Sequence, residues 1–367
     1  MATVEDDEGA ILTRPKKKSG PDQALEKFAL ATVAKKIDGL RAEFATLKTF
    51  VPTVTSQAAF DRNKDCNRYN NIICYDHTRV VLKFNVPPDR DYIHANYVRT
   101  SLCNLPNNFI CTQVNDVSRT YPIYYSTDST YSNADGTSIP DGPMDSTVND
   151  FWRLVWQEKP KTIVMLCKVI ECGKQKCSQY FPLNQGETKQ YGKVIVKNVR
   201  KTSSPSEKSD DFVFKYYWRT RQVFEAIQMN VNVKGNTAVV LTLFKWLDWP
   251  DFGVPTSGMG MLRILRQIRD QPRSTAIIHC SAGVGRSGTI VACEICLKIL
   301  LEGKDLNVLD VIKEMRTQRA GAVQTEGQYV YLHRTLCEYI NAKKIAKEKI
   351  AEFFTSYLTY ASSCKGE

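Results

Sequence analysis

No uninterrupted apolar run in the 367 residues is long enough to cross a bilayer, so a membrane-spanning helix is not expected. Histidine is scarce, with four in the chain, and a histidine-rich metal site is not expected either. Residues 1–15 are acidic and small and lack the apolar core of a signal peptide. There is no internal repeat. The 12 cysteines follow no regular disulfide spacing, which favours a reducing compartment. A net charge of +11 admits acidic partners, yet the positive residues are scattered, so nucleic-acid binding is not expected. The exceptions are the basic block 14–18 and a Lys/Ile/Ala-rich C-terminal segment. The block reads as a solvated tail, with a nuclear-localisation signal as the alternative, on a chain otherwise expected in the cytoplasm.

What is present centres on one stretch, Ile277-Ile278-His279-Cys280-Ser281-Ala282-Gly283-Val284-Gly285-Arg286-Ser287-Gly288-Thr289. The apolar run before His279 predicts a buried strand, and the pattern from Ser287 predicts a helix. Strand, glycine-rich turn and helix N-terminus make an anion cradle, because backbone N–H groups and the positive end of the helix dipole converge there. Gly283, Gly285 and Gly288 let the backbone curl close to a ligand. A thiol in such a ring of donors beside a guanidinium favours the thiolate, so Cys280 is the candidate nucleophile. Arg286 can grip two phosphate oxygens in a planar fork. A nucleotide-binding P-loop would need Gly-Lys-Ser/Thr, which this loop lacks. Attack on a bound phosphoryl group is the chemistry that fits.

A second signal is Trp249-Pro250-Asp251-Phe252-Gly253-Val254-Pro255. Proline and glycine make it a loop, and an aspartate on a loop that can close could protonate a leaving oxygen; an ordinary turn aspartate is the alternative. Strands are expected at 162–167, 194–199, 212–218 and 238–244, with a Ser/Lys-rich hairpin loop at 201–211. Helices are expected at 23–47, 150–158, 259–267 and 308–316, and a final core helix runs through Tyr331, Leu332, Leu336 and Ile340. Strands in the middle with helices around them predict an α/β (α+β) fold, a highly twisted mixed β-sheet flanked by helices. Cys293 and Cys296 form a C-x-x-C on a helix without a second pair, which reads as packing rather than metal binding.

From about Asn67 to Ile340 the chain resembles the phosphotyrosine-specific, cysteine-dependent protein phosphatases, of the non-receptor type. Asn67-Arg68-Tyr69, Asp91 to Asn96, Asp150-Phe151-Trp152, Lys176-Cys177-Ser178-Gln179-Tyr180, Trp249-Pro250-Asp251, His279 to Thr289 and Gln324-Thr325-Glu326 occur in the family's order. The resemblance implies the cysteine-phosphatase fold, phosphotyrosine-containing proteins or peptides as partners, and no cofactor or metal. It implies that Cys280 attacks phosphorus, that Arg286 and the amides of Ser281, Ala282, Gly283, Val284 and Gly285 bind its oxygens, and that Asp251 is the acid and then the base. Gln324 with Gln328 would place the hydrolytic water, Ser287 would stabilise the departing thiolate and His279 would help hold it. Glu171 would brace Arg286, Lys176 would meet the closed Asp251 loop, and Tyr69 would stack on the phosphotyrosine ring. The expected layout is a disordered basic tail at 1–20, a helical extension at 21–59, the phosphatase domain at 60–342 and a helical tail at 343–367.

Two departures stand out. Asn71 occupies the place of an aspartate that accepts backbone N–H bonds from the substrate peptide. The family's Thr-Gln-Gly-Pro run is split into Thr112-Gln113 and Gly142-Pro143 by an insert at 114–141, which reads as a long surface loop or disorder, with an unspliced segment as the alternative.

Overall fold

The computed structural model describes residues 19–113, 146–202, 224–247, 249–250 and 253–364. The basic block at 14–18, the insert at 114–141, the strand expected at 212–218, the hairpin loop beyond Thr202, and Asp251 lie outside them. In chain order the elements are α1 (Gly20–Ala45), α2 (Ala58–Arg62), β1 (Arg79–Val81), β2 (Tyr92–Val98), β3 (Asn108–Gln113), α3 (Ser146–Glu158), β4 (Thr162–Met165), β5 (Ile170–Glu171) and β6 (Lys174–Gln175). There follow β7 (Thr188–Tyr191), β8 (Val194–Thr202), β9 (Phe224–Val233), β10 (Val239–Trp246), α4 (Met259–Arg269), β11 (Thr275–Cys280), α5 (Gly285–Leu301), α6 (Val308–Gln318), α7 (Glu326–Ala342) and α8 (Lys347–Ser363).

The main sheet runs β1-β2-β3-β11-β4-β10-β9-β8-β7, and β5 and β6 form a separate hairpin. Its centre is parallel (β3, β11, β4 and β10), while both flanks are antiparallel. This is the mixed sheet expected from the sequence. A parallel centre has both faces covered, so its strands are apolar on both sides. In β11, Ala276 and Ile278 enter the core under α4 to α8, whereas Ile277 enters the core under α3. Each fully buried isoleucine contributes roughly 2 kcal/mol. Strand β9 is absent from the sequence reading, although Ala226, Met229 and Val231 are buried along it. Its other positions include Gln228, Asn230 and Asn232, residue types depleted in strands, which dilute the apolar alternation.

Helix α1 starts properly: the Ser19 side chain caps it by accepting from Asp22 N–H, with proline in the first turn. Its buried Leu25, Phe28, Ala29, Leu40 and Phe44 join the core that also holds α7 and α8. Arg41 Nε donates to Glu326 Oε1 at 2.7 Å, and Tyr360 Oη of α8 reaches the same oxygen at 3.1 Å. The first and last helices described therefore meet on one carboxylate at the start of α7. None of the helices among the described residues is long and apolar enough to cross a membrane.

Candidate active site

Cys280 ends β11 between the parallel strands β3 and β4. It is 5% exposed, and the N–H of Gly283 donates to its Sγ at 3.2 Å. Gly283 takes φ +72°, a conformation open to glycine. A methyl group there would lie 2.3 Å from Thr112 O. Gly283→Ala is therefore expected to cost on the order of 3 kcal/mol of stability. Denaturant unfolding checks it, and a variant as stable as the parent would refute it.

The loop runs straight into α5. No side chain caps this helix at Val284, so its first N–H groups and its dipole are left to the loop interior. Arg286, in the first turn, is forked onto Glu171: Nη1 to Oε1 at 2.8 Å and Nη2 to Oε2 at 3.1 Å, with Nη1 also donating to Leu166 O at 2.8 Å. Burial works against the guanidinium charge, but the hydrogen bonds and charge of Glu171 outweigh it and raise the Arg286 pKa. Glu171 comes from the β5–β6 hairpin and also accepts from Lys168 N–H at 3.0 Å. The Ser287 hydroxyl is buried and makes no hydrogen bond among the described residues.

His279 is fully buried, and its Nε2 pairs with Tyr180 Oη at 2.7 Å. Tyr180 is itself held edge-on by Phe151, 4.8 Å between centroids, and its carbonyl accepts from Trp152 Nε1 at 2.7 Å. The Asp150-Phe151-Trp152 motif thus acts through packing: α3 fixes Tyr180, and Tyr180 fixes the residue before Cys280. Burial pushes His279 down to about 3, so its ring is neutral near pH 7.

Tyr69 is half-buried beside the loop, its hydroxyl 2.7 Å from Ser281 Oγ. Asn71 is exposed nearby in the chain. Gln324 is exposed, whereas Gln328 is buried and its Oε1 accepts from the N–H groups of Gln324 and Thr325 at 2.9 and 3.3 Å. Thr325 returns the favour to Gln328 N–H, closing a capping box on α7. Gln328 therefore orients the turn that carries Gln324. Lys176 is half-buried at the foot of the hairpin. Asp251 itself is outside the described residues, but its loop is anchored at Trp249, which packs edge-on against Trp246 and Tyr331 at 5.1 and 5.4 Å. On the far side Tyr357 Oη of α8 donates to Pro255 O at 2.6 Å.

Sequence reasoning missed Arg319. Its side chain is wholly buried and donates to Gly283 O at 3.1 Å, Ala282 O at 3.0 Å, Asn96 Oδ1 at 2.7 Å and His94 Nδ1 at 3.0 Å. His94 Nε2 faces the Ile72 carbonyl at 2.8 Å and must donate, so Nδ1 is free to accept from Arg319. Arg319 locks the outer turn of the loop that follows Cys280. The signal for it was one arginine in a turn, and nothing local ties it to residues over 30 positions away.

Three histidines are buried with depressed pKa values: His94 and His279 to about 3 and His333 to about 4, burial being the main cause each time. An unfolded chain would protonate them near 6.5. The unfolded state then binds more protons below that pH, so their stabilisation is complete above about 6.5 and is lost on acidification. By pH 5 the loss should approach roughly 2 kcal/mol per ring. Thermal melts from pH 7 to pH 5 should show a steep fall; a flat midpoint would sink the prediction.

A protein-tyrosine phosphatase family profile matches residues 63–126 and 129–351. The chain is 32% identical to human receptor-type tyrosine-protein phosphatase zeta over 323 residues, 83% of this chain and 12% of that protein. It is 30% identical to mouse receptor-type tyrosine-protein phosphatase eta over 329 residues, 88% and 22% of the two chains. Human receptor-type tyrosine-protein phosphatase alpha is 32% identical over 304 residues, 82% and 32%. The chain thus spans 12% to 32% of the length of these relatives. They carry receptor-type names, whereas the sequence reading pointed to the non-receptor type.

Proposed function

Since the chain belongs to the protein-tyrosine phosphatase family, we propose that it hydrolyses phosphotyrosine in proteins through a phosphocysteine formed on Cys280. The observation that carries this is the Cys280 thiol held by Gly283 N–H at 3.2 Å at the uncapped start of α5, with Arg286 fixed beside it by Glu171. In the first step the thiolate form of Cys280 bonds to phosphorus as the phosphorus–tyrosyl oxygen bond breaks, and Asp251 gives that oxygen its proton. In the second, water attacks phosphorus, the sulfur–phosphorus bond breaks, Asp251 takes the proton back and inorganic phosphate leaves. Arg286 and the loop amides stabilise the phosphoryl oxygens throughout. Gln324, on a turn held by Gln328, orients the water. Ser287 donates to the departing thiolate, which fits a buried hydroxyl with no hydrogen bond among the described residues. Lys176 meets the Asp251 loop when it closes. Tyr69 walls the cleft, and the depth it gives excludes the shorter phosphoserine.

The test is phosphate release from matched phosphotyrosine and phosphoserine peptides, with Asp251→Ala alongside. Turnover of phosphotyrosine alone, strongly cut in Asp251→Ala, is expected. Tight phosphotyrosine binding without turnover would replace the reading with a binding module.

Asn71 gives a graded prediction. An amide oxygen accepts a peptide N–H more weakly than a carboxylate does. Asn71→Asp should tighten peptide KM several-fold, by about 1 kcal/mol, with kcat unchanged. Equal KM values for a phosphopeptide would refute this.

A further inference from the structure

Cys167 and Cys177 have no part in the chemistry above, yet they stand at the two feet of the β5–β6 hairpin. The feet are drawn together by the N–H groups of Lys176 and Cys177, both on Val169 O at 2.8 and 3.4 Å. Facing them from β11 is His279. The two Sγ atoms and a ring nitrogen of His279 lie within 4.8 Å of one another, and all three residues are buried.

We propose that Cys167, Cys177 and His279 form a binding site for a thiophilic divalent cation of the zinc class, behind the phosphate loop. Two thiolates and an imidazole are the donors such an ion prefers, and three protein ligands leave a fourth position for water. The ligands are presented by a hairpin and a sheet strand rather than by mobile surface chain. Tyr180, 2.7 Å from His279 Nε2, supplies the outer hydrogen bond that orients a ligating ring. No other trio of His, Cys, Asp or Glu converges in this way among the described residues. Among the described residues the C-x-x-C of Cys293 and Cys296 has no third partner of that kind.

Binding takes one proton from each thiol and forms two metal–sulfur bonds and one metal–nitrogen bond. All three residues are buried, so access requires the chain around them to open locally. The β5–β6 hairpin carries Glu171, which holds Arg286, and His279 precedes Cys280. An ion seated there therefore inhibits turnover without touching the catalytic thiol.

The experiment uses the full chain with Cys172→Ser and Cys364→Ser, which removes the exposed and half-exposed thiols. Cd²⁺ is titrated while the ultraviolet thiolate-to-cadmium band and proton release are recorded, neither of which depends on phosphatase activity. One equivalent should bind, and the band should persist when Cys280→Ser is added. It should be lost in Cys167→Ser and in Cys177→Ser, made separately so that either one that folds decides the matter. Zn²⁺ should inhibit the parent reversibly and Cys167→Ser at least tenfold less. No band in the parent, or a band lost in Cys280→Ser but kept in Cys167→Ser, overturns the proposal; the latter would put the ion on the catalytic thiol.

Discussion

Cys280→Ser is expected to lower phosphotyrosine turnover by on the order of 10⁵-fold while leaving phosphopeptide binding within a few-fold of the parent. A serine hydroxyl is a far weaker nucleophile than a cysteine sulfur near neutral pH, so attack on phosphorus is lost. Little else changes. Gly283 N–H still has an acceptor where it now meets sulfur at 3.2 Å, and Arg286 keeps its fork on Glu171. On the proposed reading, substrate affinity rests on those donors and on the cleft wall at Tyr69, so it is expected to survive. Rapid-mixing phosphate release, paired with calorimetry on the same phosphopeptide, separates the two quantities. Residual turnover above about one part in a thousand would mean that another group attacks phosphorus, and the phosphocysteine route would fall.

Arg319→Met should be the most damaging change outside the reacting groups, at least about 3 kcal/mol. Methionine fills much of the same buried volume, so the loss is chiefly polar. The carbonyls of Ala282 and Gly283, Asn96 Oδ1 and His94 Nδ1 all lose a donor in the interior. Each buried acceptor left without a partner costs about 1–3 kcal/mol. Activity should fall further than the folded fraction explains. Freeing the Ala282 carbonyl lets the Ala282–Gly283 peptide turn, and its N–H is the group on Cys280 Sγ. A displacement of about 1 Å at that point is enough for a 10²-fold loss in kcat. Denaturant melts and kcat at a temperature where the variant is fully folded test the two halves. A variant that loses stability but keeps kcat would make Arg319 a core residue only.

What the sequence revealed and what it hid follow from how far apart the partners are. The strand, turn and helix around Cys280 were legible because they are consecutive in the chain, and the structure gives β11 and α5 there. The helices at 23–47 and 259–267 were legible from apolar spacing, and the structure gives α1 and α4 there. The Glu171–Arg286 pair came from resemblance alone, since 115 positions separate the two residues. Arg319 and its four acceptors were hidden for the same reason: a buried arginine with no acidic partner among the described residues has no local signature. Gln328 was expected to place the hydrolytic water together with Gln324; what the sequence reading did not foresee is that its amide oxygen accepts from the backbone N–H groups of Gln324 and Thr325. The Thr-x-x-Gln spacing of a capping box was there to be read at 325–328.

The carboxylate of Glu326, shared by Arg41 and Tyr360, bears on the order in which the molecule is assembled. The Gln324 turn lies two residues before it, and Tyr357 of α8 donates to the Pro255 carbonyl. Contacts between residues so far apart in sequence form late, after the loops between them have closed. Synthesis runs from the N-terminus, so α1 waits through the whole domain for the α7 and α8 surfaces it covers. The strand, turn and helix around Cys280 can take shape once β11 and α5 are made, but the segment at Pro255 is fastened only after α8 has been made. On the proposed reading, competence for turnover therefore comes late, after the loop that follows Cys280 has already formed.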